Sequence, residues 1–409
     1  MMDSSAQLLT FGLCLVFVVL VPFTIAGLAL MNAGLGRSRS ASHSMTTALC
    51  VMGTAMLTYF VFGSAVQGAS KPPLWNGWGG TLASQSFFFH GVSWNQPAAL
   101  QVLLPMLGVS LASVVPLGAV SDRLRLGAAC ASTVLLAGLI DPLFLRVMTK
   151  FAAFKDAGGS GFIHAVGGLT ALSIVWILGP RQGKYAHGGM PAAIPAHNQV
   201  FVLFGCMLSW IGWLGLNSAG GMMRAGVHPE QSILIVVNTT FAAAAAALAA
   251  AATTRVRFRR PDASLVGNGW MAGLVASSAG CSSLKPATAI LTGIVAGVLV
   301  VLSVEWFELH LKVDDPCGSV SVHAVCGIWG LVAAGIFAES AGQFTAQIVA
   351  IATLVGFIFP LAYGLNYLLN LFLVYRVSAD GERQGLDLHE LGADAYPEFV
   401  VHADEFLQR

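Results

Sequence analysis

The sequence predicts an all-α polytopic membrane protein. It would have eleven transmembrane helices, an inverted 5+5 repeat plus one, with the N-terminus outside and the C-terminus inside. Three observations predict this: a composition too apolar for a water-soluble surface, eleven apolar runs of membrane-spanning length, and one thirteen-residue motif that occurs twice.

Of the 409 residues, 56% are hydrophobic and 10% are charged, and the mean hydropathy is +0.76. An ordinary soluble domain is about 25% charged. Twenty Lys and Arg with nineteen Asp and Glu cannot give a chain of this length a polar skin. This excludes a soluble enzyme and a disordered protein. A net charge of +1 leaves no basic footprint for nucleic acid. The seven Cys lie in apolar or small-residue runs without C-x-x-C spacing, and read as buried thiols rather than a disulfide or zinc framework.

The apolar runs are approximately 8–33, 42–66, 98–121, 126–147, 158–180, 199–219, 230–254, 264–282, 286–304, 317–338 and 346–376. Each has roughly 18 or more mostly apolar residues between polar breaks. The run at 264–282 is the most dilute, because it contains Asn268, Ser277 and Ser278. The Ala-rich stretch 242–252 reads as a close-packed helix face. Residues 1–376 form a membrane domain and 377–409 a cytoplasmic tail. The start, MMDSSAQLL, lacks the positive region of a cleavable signal, while Arg37 and Arg39 follow the first run. Positive charge there puts the N-terminus outside. With alternating spans, Lys71, Arg146, Lys150, Lys155, Arg224 and Lys285 fall outside, and the other fourteen of the twenty cations fall inside.

The repeated motif carries the chemistry. Residues 156–168 read DAGGSGFIHAVGG and residues 315–327 read DPCGSVSVHAVCG. Both are D-x-x-G-S-x-x-x-H-A-V-x-G, at the starts of the fifth and tenth runs, which enter the membrane from opposite faces. That is the mark of an inverted-topology repeat. His164 and His323 each sit about seven residues into their helix, roughly 10 Å deep at about 1.5 Å per residue. A pseudo-two-fold axis brings the two rings together near the midplane. Buried there, neutral imidazoles need partners, and each is the other's cheapest one, with one donating and one accepting. An ordinary core histidine is the alternative for either residue alone. Two ligands are too few for a closed zinc site, and a haem between them would hold the rings far apart, against the small residues around them.

Asp156 and Asp315 each open a helix. They read as helix-capping acids, or as fixed negative charges that favour a cation at each mouth; the two readings are compatible. Gly159 and Gly318 are the matching glycines of the two copies. Small residues along these helices suit close helix packing.

With these motifs quoted, the chain resembles the Amt/Mep/Rh ammonium transporter family, on the bacterial Amt side. The resemblance also rests on FTIAGLALMNAGL at 23–35, IGWLGLNSAGG at 211–221, VNTTFA at 237–242, DDPCGSVSVHAVCGIWGLVAAGIFA at 314–338 and GLDLHELGADAYP at 385–397. It implies a homotrimer in the inner (cytoplasmic) membrane, a pore through each subunit, and no cofactor. His164 and His323 would line that pore. Ammonium would be recruited outside, lose a proton, and cross as ammonia. Trp213 matches the family's pore-side tryptophan, and Met31 would lie along the pore wall.

The departures from the family pattern are as informative. The first gate phenylalanine falls near Gly108 and the second is Leu216. The outer-site tryptophan falls near Phe144, and the outer-site serine falls at Gly220, with Ser218 two positions earlier. Arg146, Lys150 and Lys155 cluster beside the cation entrance, where positive charge opposes ammonium. Two functions are therefore expected as alternatives. One is an ammonium transporter with a modified entrance. The other is a weakly conducting or non-conducting ammonium receptor whose chain continues past Arg409 into a cytoplasmic signalling domain. A PII-type regulator at the tail belongs to the first.

Overall fold

The computed structural model describes residues 4–68, 87–95, 99–185 and 189–397. Lys71 and the end of the tail, 398–409, lie outside the described residues. The described chain is all-helical. In chain order the long elements are α1 (Leu8–Leu35), α2 (Ser38–Gln67), α3 (Leu100–Ala119), α4 (Leu126–Met148), α5 (Ser160–Leu178) and α6 (Gln199–Met223). They continue as α7 (Pro229–Phe258), α8 (Ala263–Ser278), α9 (Pro286–His310), α10 (Val320–Ile336) and α11 (Gln343–Phe372). Among the described residues nine of these are long and apolar enough to cross a membrane; α8, at sixteen residues, and α10 are shorter. The run expected to be weakest is thus a helix, but a short one.

Glycine and alanine set the packing. The Ala-rich stretch presents Ala242, Ala246 and Ala250 along one fully buried stripe of α7. A Cβ on Gly293 of α9 would stand 2.3 Å from the Ala242 carbonyl, and one on Gly297 would stand 2.1 Å from the Ala246 carbonyl. The backbones touch because neither side contributes a side chain, which is how apolar helices associate when lipid removes the hydrophobic drive. The α1–α6 crossing has the same basis: a Cβ on Gly205 would meet Gly27 O at 2.6 Å. On its outward face α6 shows Val200, Phe204, Met207 and Ile211, a stripe at helical spacing that water would not tolerate.

Five of the seven cysteines are buried as expected. Cys50 and Cys130 correct the expectation: they are half-buried where α2 and α4 meet, with Cys130 beside Thr54.

Candidate functional site

Both motif copies fold the same way. Gly159 (φ +96°) and Gly318 (φ +68°) adopt the left-handed conformation that glycine takes without steric cost. Each is followed by a widened π-type stretch, Ser160–Ala165 and Val320–Val325, carrying His164 and His323. Asp156 caps the first: its Oδ1 accepts from Gly159 N at 3.1 Å, and its Oδ2 accepts from Gly161 N at 2.8 Å and Phe162 N at 3.2 Å. Asp315 Oδ2 accepts from Val320 N at 2.7 Å. Helix starts leave N–H groups unsatisfied, and these carboxylates satisfy them.

The last glycine of each copy fixes the crossing. A Cβ on Gly168 would stand 2.2 Å from Ala324 N, and one on Gly327 would stand 3.0 Å from Ala165 N. Ala165 and Ala324 are the same motif position, so each copy packs its glycine on the other's alanine. That reciprocal contact brings the two histidines together, with Nδ1 to Nδ1 at 3.2 Å and ring centroids 5.2 Å apart. Both rings are buried. One Nδ1–H donates to the other Nδ1, and His164 Nε2 is buried without a hydrogen-bond partner.

Trp213 lies stacked on His164 at 4.8 Å between centroids and 16° between planes, and its Nε1 donates to Ser278 Oγ at 2.9 Å. The structure thus brings His164, His323 and Trp213 into one cluster. Met31 is buried where α1 meets α6, with its sulfur accepting from Cys206 at 3.9 Å. Leu216 and Ser218 are fully buried on α6, and the Ser218 hydroxyl has no partner. Phe144 is fully buried and meets Phe154 edge-to-face at 6.5 Å. At Gly108 a Cβ would meet Ile163 Cδ1 at 3.1 Å, so Ile163 fills the space where a ring would stand. At Gly220 a Cβ would stand 2.0 Å from Ala157 O, which leaves no room for a serine.

Where α5 begins, a cavity of about 520 Å³ opens, lined among others by Gln101, Phe154, Lys155, Asp156, Phe162 and Arg224. Arg224 Cζ stands 4.1 Å from the Phe162 ring centroid. Burial pushes the Asp156 carboxyl up to about 6, although the Gly161 and Phe162 N–H groups and Arg224 all favour its charged form. Phe162 and Arg224 were not singled out from sequence as partners. Only the three-dimensional fold carries the end of α6 over the start of α5.

The far end of α5 is held by ion pairs. Arg181 binds Asp314 through Nε (2.9 Å) and Nη2 (2.9 Å), and Asp122 through Nη1 (3.1 Å). Burial alone would raise the Asp314 carboxyl; Arg181 and Arg123 hold it at about 2. The tail docks at this end. Asp387 accepts from His43 N at 2.7 Å in the first turns of α2. Glu390 Oε2 accepts from Leu126 N at 2.8 Å, at the start of α4, and meets His43 Nε2 at 2.9 Å. Arg376 reaches Leu178 O at 2.7 Å and Glu382 at 2.8 Å.

These features define a class: a multi-pass, all-helical membrane protein with a buried histidine pair where two copies of one motif cross. Residues 12–396 match the profile of the Ammonium Transporter Family, and the chain belongs to that family. It is 31% identical to ammonium transporter Amt2 of Archaeoglobus fulgidus, covering 94% of this chain and 88% of that protein. It is 30% identical to ammonium transporter Amt2 of Haloferax mediterranei, covering 95% and 91%. Among solved structures it shares its fold with a sensor Amt protein (TM-score 0.86, 22% identity, 95% and 100% covered). It also shares it with Mep2 of Candida albicans (TM-score 0.78, 22% identity, 95% and 90% covered).

Proposed function

We propose that this chain binds ammonium in the cavity where α5 begins and passes or holds ammonia or ammonium at the His164–His323 pair. The observation that carries the reading is the 3.2 Å contact between the two buried Nδ1 atoms. A bare ammonium ion loses several kcal/mol or more of hydration in an apolar interior. Ammonia is neutral, with one lone pair and three N–H groups. The histidine pair suits it: whichever ring donates Nδ1–H keeps a free Nε2 acceptor, and the other carries Nε2–H. His164 Nε2 is buried without a partner and supports a ligand contact there.

In this reading all eleven helices span the membrane, the cavity faces outward, and residues 377–409 lie inside. The greater number of cations falls on the tail's face. The assembly is a trimer in the cytoplasmic membrane. Light scattering on the detergent-extracted protein should return three chains, and any other number removes that part.

A second reading, an ammonium receptor, is supported by one observation. Ile163 packs against Gly108, and buried Leu216 stands at the second expected gate position, so both gate positions hold aliphatic rather than aromatic groups. Calorimetry with methylammonium and flux into proteoliposomes separate the two. Binding with flux supports a transporter, and binding without flux a receptor. His164→Ala and His323→Ala should each weaken binding at least tenfold; unchanged affinity in both would refute the histidine role.

A further inference from the structure

We propose that the guanidinium of Arg224 holds a cation-binding position over the Phe162 ring, as a tethered competitor of the small monovalent cations that this cavity admits. The proposal rests on reading the cavity as the ammonium entrance, and it adds the residue that controls occupancy there.

Arg224 Cζ at 4.1 Å from the ring centroid lies well within the roughly 6 Å range of a cation–π contact. Nη1 donates to Ala157 O at 3.3 Å, while Nη2 is buried without a hydrogen-bond partner. The charge is balanced at longer range by Asp156 and Asp141. An aromatic face, a carbonyl acceptor and nearby carboxylates are the groups that would hold ammonium, methylammonium or free guanidinium equally well.

The location adds to this. Phe162 stands two residues before His164 in the same π-type turn, and Asp156 caps that turn from within the same cavity. The cation position is therefore built on the same short segment that carries His164. Arg146, by contrast, is engaged with Val66 O at 3.0 Å, so it is Arg224 that is in ring contact. An external cation can take the ring only after Arg224 leaves it. A partly desolvated cation–π contact changes occupancy by roughly five- to thirtyfold.

The test uses the full-length protein in detergent. Wild type, Arg224→Ala and Arg224→Gln are titrated with methylammonium and, separately, with low-millimolar guanidinium chloride. Thermal unfolding confirms that each variant is folded; Arg224→Gln, which keeps an uncharged amide donor, stands in if Arg224→Ala is not. Removing the guanidinium should tighten methylammonium binding about tenfold and create guanidinium binding that wild type lacks. Adding Phe162→Leu should abolish both gains. Affinities within twofold of wild type for both cations in the folded variant overturn the proposal. If wild type binds methylammonium and the variants change nothing, the entrance reading stands without this proposal. If the variants gain guanidinium binding while no form takes methylammonium, the cation position stands and the ammonium reading falls.

Discussion

Replacing Gly168 by Ala tests whether the glycine crossing sets the histidine pair. A Cβ there would stand 2.2 Å from Ala324 N and 2.8 Å from His323 C, whereas ordinary contact begins at 3.4 Å. Both neighbours are backbone, so no side chain can swing aside. Relief requires α5 and α10 to part by about 1 Å, at roughly 1–3 kcal/mol for overpacking of this kind. His323 moves with α10, and the 3.2 Å Nδ1–Nδ1 contact opens to about 4 Å, beyond hydrogen-bonding range. Gly327→Ala meets Ser160 O at 2.6 Å and Ala165 N at 3.0 Å, a milder conflict. Gly364→Ala on α11 meets nothing within 4 Å and gains up to about 1 kcal/mol of helix propensity. Thermal unfolding in detergent should rank stability as Gly364→Ala at or above wild type, then Gly327→Ala, then Gly168→Ala. Stabilisation by added methylammonium should be weakest in Gly168→Ala. A Gly168→Ala protein with the wild-type midpoint and wild-type ligand response would refute the reasoning.

Two further predictions concern the charged groups at the mouths. Arg181→Gln strips the buried Asp314 of its bidentate partner and should lower stability by about 3–5 kcal/mol, while the double variant Arg181→Met/Asp314→Leu, which leaves Asp122 as the one carboxylate without Arg181, should recover part of it. Chemical unfolding checks this, and a single variant as stable as the double one contradicts it. Asp156 sets a pH dependence, since its carboxyl is pushed up to about 6, above the usual value of about 3.9. A raised acid pKa favours the protonated folded state, so this stabilisation is full below about pH 4 and is lost as pH rises through about 6. The negative charge that attracts a cation, with Arg224 facing it, emerges over the same interval. Methylammonium binding should therefore strengthen between pH 5 and 7, and Asp156→Asn should flatten that rise; an identical slope in both proteins removes Asp156 from the entrance.

The sequence was most informative where a pattern repeats. Two copies of D-x-x-G-S-x-x-x-H-A-V-x-G on oppositely directed spans predict that His164 and His323 meet, and the rings do meet. The acids were legible as caps because an Asp before a helix start has few other partners for its oxygens. Contacts that join distant helix ends were not legible. Arg224 over Phe162 depends on where α6 stops, and the capping of α2 and α4 by Asp387 and Glu390 depends on where the tail docks. Hydropathy windows also blur short helices: α8 ends at Ser278, within its predicted span, because Gly280 to Ser283 turn the chain. Apolar context alone reads Cys50 and Cys130 as core, although a half-buried contact between two helices has the same composition.

The two motif copies are symmetric at the centre and differ just outside it. Each carries the capping Asp, the left-handed Gly, the His and the crossing Gly. The residue before the Asp is Lys155 in one copy and Asp314 in the other. Lys155 borders the cavity, which stays open and is contested by Arg224. Asp314 is locked to Arg181, and Arg123 donates to its carbonyl at 2.7 Å. Two carboxylates and a buried guanidinium there are held by short charge-assisted bonds, which are strong only while all partners are present. The tail bonds into the same face through Arg376, which joins Glu382 to the last carbonyls of α5. Equal motif copies thus sit in unequal settings, one beside an open cavity and the other inside a buried ion-pair network. The tail adjoins this network, because Glu382 also accepts from Gln182 N, the residue after Arg181, at 2.7 Å.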